Sequence, residues 1–231
     1  MASEAAAEGP VRLRLWARLA QRHPSAFLLA AQLLGLLLHP LVDDANDGRL
    51  LLGAATLIVV PLAVWVVNRS PAVTVVAWLL AIPALVLTGL AVFLGQAALL
   101  PVAACFEAAL YFYAAAGLIA YMLADHRVTA DELFAAGATF TLLAWGFAYA
   151  YLACRAWYPG SFSGFEPDRP RRWLELLSYS FSNLTATGLG DMLPLSPPAR
   201  VLTMLEQFAG LGYVVTVVSR LIGLTVARHR A

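Results

Sequence analysis

Two glycines in the stretch TATGLGD, residues 185–191, mark the part of this chain whose residue types and spacing could do chemistry. Gly188 and Gly190 expose the backbone between them, and the segments on either side are strongly apolar. A dinucleotide-binding loop is excluded, because position 193 carries leucine instead of a third glycine and no strand precedes the stretch. Two interpretations remain, a plain turn or a functional loop that uses its backbone, and the surrounding elements must decide between them.

Side chains elsewhere in the chain offer little chemistry. No Ser/His pair, paired aspartates or His-Glu-x-x-His motif lies within the apolar segments, so no catalytic residues are expected. A net charge of +1 gives no electrostatic argument for nucleic-acid binding. The histidines have no spacing that indicates a metal site; they are His23, His39, His126 and His229. We therefore expect a protein that is not an enzyme and that needs no cofactor.

The composition is that of a membrane protein. Of 231 residues, 61% are hydrophobic and only 13% are charged, against about half and about a quarter in a soluble domain. A hydrocarbon core of about 30 Å needs roughly 20 apolar residues in a helix. The stretches that meet or nearly meet this length are 25–42, 50–67, 72–94, 97–123, 133–157 and 201–226. The sequence therefore predicts an all-α membrane protein with six transmembrane helices.

Arginines near the helix ends predict the orientation of the chain. The N-terminal tail, residues 1–24, is rich in arginine, whereas the loop DDANDGR after the first stretch is mostly acidic. By the positive-inside rule the tail is cytoplasmic, and six crossings return the C-terminus to the same side. A signal peptide is the alternative for the N-terminus, but no small-x-small cleavage site is present, which favours a retained first helix. We expect a multi-pass protein in the lipid bilayer of the cell (inner) membrane.

The long segment between the fifth and sixth helices then faces outward. It opens with the Pro/Gly/Ser-rich run YPGSFSGFEPDRP, continues as a short amphipathic helix over 171–185, and ends in PLSPP. A helix, a glycine-rich strand and a proline-rich return predict a re-entrant loop. Such a loop is tolerated at membrane depth where protein or a water-filled cavity surrounds it.

The run SYSFSNLTATGLGDMLPLSPPAR resembles the pore loop of tetrameric potassium channels, whose selectivity filter reads Thr-Val-Gly-Tyr-Gly-Asp. The residues that take the six filter positions, in order, are Ala186, Thr187, Gly188, Leu189, Gly190 and Asp191. Pro194 matches the proline of the return, Arg200 the arginine at the top of the inner helix, and Gly210 the gating glycine of that helix. Residues 171–226 resemble the pore module of this superfamily, and the six-helix layout resembles its bacterial six-helix members.

The resemblance implies a homotetrameric cation channel. Four chains would surround an ion with rings of carbonyl oxygens that replace its hydration shell, contributed by Ala186, Thr187, Gly188 and Leu189. Glycine reaches positive φ without steric cost, which suits a backbone that alternates in handedness. Asp191 would add a negative ring at the outer mouth, and the pore helix would direct its partly negative C-terminus at the cavity. The permeating ion would be a monovalent cation, with potassium expected.

The resemblance also implies a division of the chain. A four-helix membrane domain would cover 25–125 and a pore domain 130–227, the latter containing an outer helix, a pore helix at 171–185, a filter at 186–191 and an inner helix at 199–227. A voltage sensor needs several arginines, since each charge contributes only about 2.3 kcal/mol per 100 mV. The fourth stretch contains none, so the four-helix domain is expected to lack a voltage sensor.

Two filter residues depart from the family pattern. Ala186 lacks the hydroxyl of the family's threonine, and Leu189 lacks the tyrosine hydroxyl that the family ties to the pore helix. Tyr179 on the pore helix and Glu206 on the inner helix are candidates for supporting the filter instead. We expect cation conduction with a weaker preference for potassium over sodium. The alternative is a non-conducting membrane scaffold or partner subunit that keeps the pore fold.

Four residues inside apolar stretches leave alternatives open. Gly210 is interpreted either as a hinge of the inner helix or as a close-packing contact. Glu107 is interpreted either as a polar contact or gating site within the helix bundle or as a shallow carboxylate that reaches the outer surface. Cys105 and Cys154 are interpreted either as buried free thiols or as a disulfide.

Overall fold

The computed structural model describes residues 23–43, 74–124, 129–164 and 172–220, together with the helical residues 222, 223 and 226. Within these ranges the regular structure is helical, and an isolated antiparallel bridge joins Phe162 to Pro194. The α-helices are α1 (Pro24–Asp43), α2 (Thr74–Phe93), α3 (Leu100–Leu123), α4 (Ala130–Trp157), α5 (Trp173–Leu184) and α6 (Pro197–Tyr213). A 3-10 turn, Ala97–Leu99, precedes α3, and a π-helical turn, Val214–Val218, continues α6.

Four helices in the described part of the chain are long and apolar enough to cross a membrane. They are Thr74–Ala91, Leu100–Leu123, Ala130–Trp157 and Pro197–Val218. The prediction of an all-α, multi-pass membrane protein is thereby confirmed. The apolar part of α1, Pro24–His39, is shorter. The predicted stretch 50–67 and nearly all of the predicted tail 1–24 lie outside the described residues.

Capping side chains set where the helices begin. The Thr129 hydroxyl accepts a hydrogen bond from the backbone N–H of Glu132 at 3.3 Å, so α4 begins three residues before the predicted 133. Ser196 accepts from the N–H of Ala199 at 3.3 Å, and two prolines follow it directly in the first turn of α6. The inner helix therefore begins before the predicted residue 199. Hydropathy alone could not locate these starts, because the caps are polar.

Small residues allow α3 and α4 to pack closely at the centre of the fold. Ala108 and Ala144 are both buried in the main hydrophobic cluster. At Gly146 of α4, an added Cβ would lie 2.9 Å from the ring of Phe112 on α3. Small side chains let membrane helices approach in this way. The α3–α4 pair forms the frame on which the other elements are arranged.

The helices α2, α3 and α4 follow one another as antiparallel neighbours. Thr88 near the end of α2 donates a hydrogen bond to Glu107 near the start of α3 at 2.8 Å. Phe112 of α3 and Phe147 of α4 meet edge to face with ring centroids 4.8 Å apart. Because both connections are short, each pair is a helical hairpin, and α2 runs parallel to α4.

The first helix, α1, also runs parallel to α4. At the beginning of both helices the Ser25 hydroxyl donates to the Asp131 carboxylate at 3.0 Å. Further along, a Cβ placed on Gly35 would lie 3.5 Å from the Trp145 ring. Since α1 and α2 point the same way, the end of α1 and the beginning of α2 lie at opposite ends of the bundle.

Candidate functional site

The short helix α5 leads directly into the glycine-containing stretch. Its 12 residues span about 18 Å, less than the roughly 30 Å of a hydrocarbon core. Trp173, Leu176, Leu177 and Leu184 lie at the spacing of one helical face and are buried in the main cluster. At its beginning the backbone N–H of Arg172 donates to the Glu175 carboxylate at 2.5 Å. The apolar face thus fixes α5 against the frame, and its C-terminus presents residues 185–191.

Backbone handedness alternates at the beginning of the candidate filter. Ala186 has φ of 57° and Gly188 has φ of 64°, both in the left-handed region, whereas Thr187 between them has a negative φ. Gly188 therefore has the conformation expected from the sequence. Gly190 lies outside the left-handed region. Ala186 takes a conformation that costs a non-glycine residue roughly 1–2 kcal/mol, and sequence reasoning assigned positive φ only to glycines.

The carbonyl oxygen of Ser182, on the last turn of α5, accepts hydrogen bonds from two amide groups of the candidate filter. It accepts from the N–H of Thr187 at 3.1 Å and from the N–H of Gly188 at 3.2 Å. The hydroxyls of Thr185 and Thr187 also donate to it, both at 3.2 Å. Carbonyls in the last turn of a helix have no partner within that helix. The C-terminus of α5 therefore holds the candidate filter through a backbone carbonyl that has no partner within the helix itself.

The hydroxyl of Ser182 makes a second contact with the filter. It donates to the carbonyl oxygen of Leu189 at 2.6 Å. This carbonyl is one of the four that the resemblance assigns to ion coordination, and in this conformation it accepts a hydrogen bond from the chain's own helix α5. Leu189 itself has no hydroxyl to donate, so here the tether runs from the helix to the filter backbone.

The candidate filter is exposed along its length. All residues from 185 to 191 are exposed, and the Leu189 side chain is 78% exposed. Asp191 is exposed at the end of the stretch, and its carbonyl oxygen lies 3.5 Å from the Ser163 hydroxyl. A single chain thus covers one side of the filter with α5 and leaves the other side open.

A pair of extended segments anchors the far end of the filter. Ser163 donates its N–H to the carbonyl of Leu193 at 2.9 Å, and Leu195 donates to the carbonyl of Ser161 at 2.8 Å. These bonds flank the bridge described above, at the proline return. Arg200, at the top of α6, donates to the carbonyl of Pro194 at 3.2 Å. The segment after α4 therefore clamps the return that follows the filter.

One stripe of residues on α6 faces α5. Its members, spaced i, i+3, i+4 and i+7 on one helical face, are Thr203, Glu206, Gln207 and Gly210. Their partners on α5, in the same order, are Tyr179, Ser180, Asn183 and Leu184. The hydroxyls of the first pair lie 2.9 Å apart, and the amides of the third pair are joined at 3.0 Å. The stripe aligns α6 with the last two turns of α5.

Glu206 is fully buried behind α5. Its carboxylate accepts hydrogen bonds from the Ser180 hydroxyl and, at 2.5 Å, from the Tyr151 hydroxyl on α4. Tyr151 also approaches Thr203 at 3.4 Å. Burial raises the pKa of the neighbouring Tyr179 phenol. Helices α4, α5 and α6 are thus joined by one buried polar cluster, and filter support by Tyr179 and Glu206 stays a prediction.

Gly210 is packed against the end of α5. An added Cβ would lie 2.8 Å from the carbonyl carbon of Leu184 and would overlap its oxygen. Gly212, two residues later, has no atom within 4 Å of the corresponding position. The contact supports the close-packing interpretation of Gly210. The π-helical turn Val214–Val218 begins directly after this region, and such turns often mark functional positions in helices.

The remaining alternatives from the sequence can be decided by geometry. Glu107 is only 2% exposed and accepts the Thr88 hydrogen bond, so the interpretation as a shallow carboxylate at the surface is wrong. Cys105 and Cys154 are both free thiols, so the disulfide alternative is wrong as well.

Several residues at this site were missed by sequence reasoning. Ser182, Asn183, Gln207 and Tyr151 were not singled out from the sequence. The spacing of Thr203, Glu206, Gln207 and Gly210 on an otherwise apolar helix was a usable signal, because polar residues within a membrane helix face protein rather than lipid. Nothing in the sequence pointed to the hydroxyl of Ser182.

A comparison with protein families assigns the region around this site. The family model described as "Ion channel" matches residues 109–227, which is just over half of the chain. The matched region runs from the middle of α3 through α4, α5, the candidate filter and α6. No curated protein and no solved structure gives a significant match.

Proposed function

The chain belongs to this ion channel family, within the potassium channel superfamily, and we propose that it forms a homotetrameric pore that conducts monovalent cations, with potassium the principal ion. The observation that carries the proposal is the backbone of residues 186–188. Left-handed conformations at Ala186 and Gly188, with their amides bonded back to α5, leave carbonyl oxygens free to face away from the protein. Carbonyl rings of this kind replace an ion's hydration shell.

The exposed surfaces of the chain support assembly around the filter. One chain covers only one side of the stretch 185–191, and one strand of carbonyls cannot surround an ion. The face of α6 turned away from α5 is apolar and exposed, with Val201, Met204, Leu205, Phe208 and Leu211 on it. Four-fold closure would bring this surface against neighbouring copies and enclose the filter.

We extend the proposal to six crossings with both termini in the cytoplasm. The parallel arrangement of α1 and α2 supports it, because the crossing proposed between them requires the end of α1 and the beginning of α2 to lie at opposite ends of the bundle. The predicted stretch 50–67 has the composition for that crossing. The exposed apolar side of α2, which includes Leu79, Ile82 and Val86, would face the lipid bilayer of the cell (inner) membrane.

The filter is proposed to discriminate weakly between potassium and sodium. Selectivity depends on the number of coordinating oxygens and on how firmly they are held. Ala186 contributes no hydroxyl, and the carbonyl of Leu189 is engaged by Ser182. Both features reduce the number of oxygen atoms that can coordinate an ion. Asp191, exposed at the outer end, would supply the negative ring at the mouth.

The alternative function is a non-conducting membrane subunit that keeps the pore fold. The same Leu189 contact favours it, since a filter with a withdrawn carbonyl could be closed to ions. Purified protein in potassium-loaded liposomes distinguishes the two. Cation efflux above that of protein-free liposomes, from a protein that native mass spectrometry shows to be tetrameric, supports the channel. Tetramers without efflux would support the alternative, and monomers or dimers alone would refute the tetrameric pore.

A further inference from the structure

Ser182 contacts the filter through two groups that have different consequences. Its backbone carbonyl accepts from the amides of Thr187 and Gly188 and thereby holds the filter against α5. Its side-chain hydroxyl donates to the Leu189 carbonyl at 2.6 Å. The first contact fixes the strand and leaves the neighbouring carbonyls available. The second contact uses a carbonyl that would otherwise be free to bind an ion.

We propose that Ser182 is a specificity-determining residue whose hydroxyl competes with the permeating ion for the Leu189 carbonyl. This inference rests on the proposed channel function and deepens it. In the tetramer the same contact would occur four times, so one complete ring of oxygens is withdrawn from the pathway. A filter with one ring fewer holds a dehydrated ion less well and discriminates less between ions of different size and field strength.

The substitution Ser182→Ala isolates the hydroxyl contact. It removes the donor to Leu189 but keeps the backbone carbonyl of residue 182, so the bonds from Thr187 and Gly188 remain. Alanine is a good helix former, and residue 182 is only half-buried at the end of α5, so neither a cavity nor a helix break is introduced. Released from its donor, the Leu189 carbonyl can rotate toward the ion.

Two control variants separate this effect from general disturbance of the pore helix. Ser182→Thr keeps a hydroxyl at the same position. Ser178→Ala removes a hydroxyl from an exposed position one turn earlier on α5. Native mass spectrometry first establishes that all variants assemble as the wild type does.

Bi-ionic reversal potentials in planar bilayers, with potassium on one side and sodium on the other, test the proposal. We expect Ser182→Ala to raise the potassium-over-sodium permeability ratio by about threefold to tenfold, the factor to which the net free energy of a single hydrogen bond corresponds. Ser182→Thr and Ser178→Ala should keep the wild-type ratio. A ratio in Ser182→Ala that is unchanged or lower overturns the inference while conduction itself upholds the channel.

A wild-type protein that conducts no ions is also informative. If Ser182→Ala alone then conducts potassium, the hydroxyl is what closes the filter, and the competition is supported in its strongest form. If both proteins are silent although tetrameric, the proposed channel function fails, and the inference about Ser182 fails with it.

Discussion

The candidate filter and the buried cluster behind it are held by contacts of different range. The filter is exposed, and most of its bonds join residues close in sequence, such as Ser182 and Leu189, seven positions apart. The buried cluster consists of Tyr151, Tyr179, Ser180, Thr203 and Glu206. Its bonds join residues far apart in sequence, as between Tyr151 and Glu206, which are 55 positions apart. One region is organised locally by the end of one helix, and the other ties three helices together.

This difference predicts which changes alter function and which alter the fold. A substitution in the exposed filter should change ion passage with little effect on stability, because few long-range contacts depend on it. A substitution in the buried cluster should change stability and assembly first, because donors from separate helices lose their common acceptor. Variants in each region, each with a matched control, test the distinction.

Gly188→Ala should have the largest effect of the variants considered. A Cβ at φ of 64° is strained, and relief of the strain would rotate the backbone and turn a carbonyl ring away from the axis. We expect cation flux from liposomes to be abolished while the tetramer and its thermal stability are retained. Gly95→Ala is the control, since Gly95 has φ of 67° and equally open surroundings but lies in the α2–α3 turn. Normal flux in Gly188→Ala would show that residues 185–191 are not the filter.

Gly210→Ala should have the next largest effect, and it lies where the two regions meet. The added Cβ would overlap the Leu184 carbonyl at the end of α5 and would push the pore helix away from α6. We expect fewer tetramers on native mass spectrometry and reduced flux. Gly212→Ala adds the same group to the same helix where no atom lies within 4 Å, and should leave assembly intact. Intact tetramers with altered open probability in Gly210→Ala would instead favour the hinge interpretation.

Glu206→Ala tests the buried cluster directly. The change removes the carboxylate acceptor of the Tyr151 hydroxyl and one of the two acceptors of the Ser180 hydroxyl, which keeps the Ala144 carbonyl at 2.7 Å. It also opens a cavity, and the total cost is about 2–4 kcal/mol in the free energy of unfolding. We expect a lower midpoint of thermal unfolding in detergent. Glu206→Gln keeps an acceptor oxygen and a similar side-chain volume, so it should lower the free energy of unfolding by roughly half as much. An unchanged midpoint in Glu206→Ala would show that the cluster does not stabilise the fold.

Sequence patterns were sufficient to predict the helices of the described residues because hydrophobic length and helical period are strong signals. The bounds of α2 and α4 fall within three residues of the apolar stretches predicted for them. The short helix predicted over 171–185 is found as α5 at Trp173–Leu184, and its role as a pore helix stays a prediction. The family resemblance, read from the glycine-containing run, is confirmed by the match over residues 109–227.

The contacts that hold the filter could not be predicted in the same way. Which backbone carbonyl accepts from which amide depends on the path of the chain after α5, and a residue-type pattern does not specify that path. Ala186 illustrates the limit, since its positive φ follows from the bonds of its neighbours to Ser182 and not from its own preference. Likewise, Glu206 was recognised as a polar residue facing protein, but its donors on α4 and α5 came only from the packing.

The smallest expected effect comes from substitutions at Ala186, which test how the local structure of the filter sets its selectivity. Ala186→Thr together with Leu189→Tyr restores the family's two hydroxyls and should raise the potassium-over-sodium permeability ratio by about twofold to fivefold. The gain is limited because a β-branched residue is poorly tolerated at φ of 57°, so part of the added interaction is spent in moving the backbone.

Ala186→Gly is the matched control, because it relieves the strain at the same position without adding an oxygen. It should conduct with the wild-type ratio and change the free energy of unfolding by no more than about 1 kcal/mol. Bi-ionic reversal potentials measure both variants. If Ala186→Gly raised the ratio as much as the double variant, backbone strain and not oxygen number would set the selectivity. The exposed region would then resemble the buried one in being governed by how firmly its chain is held.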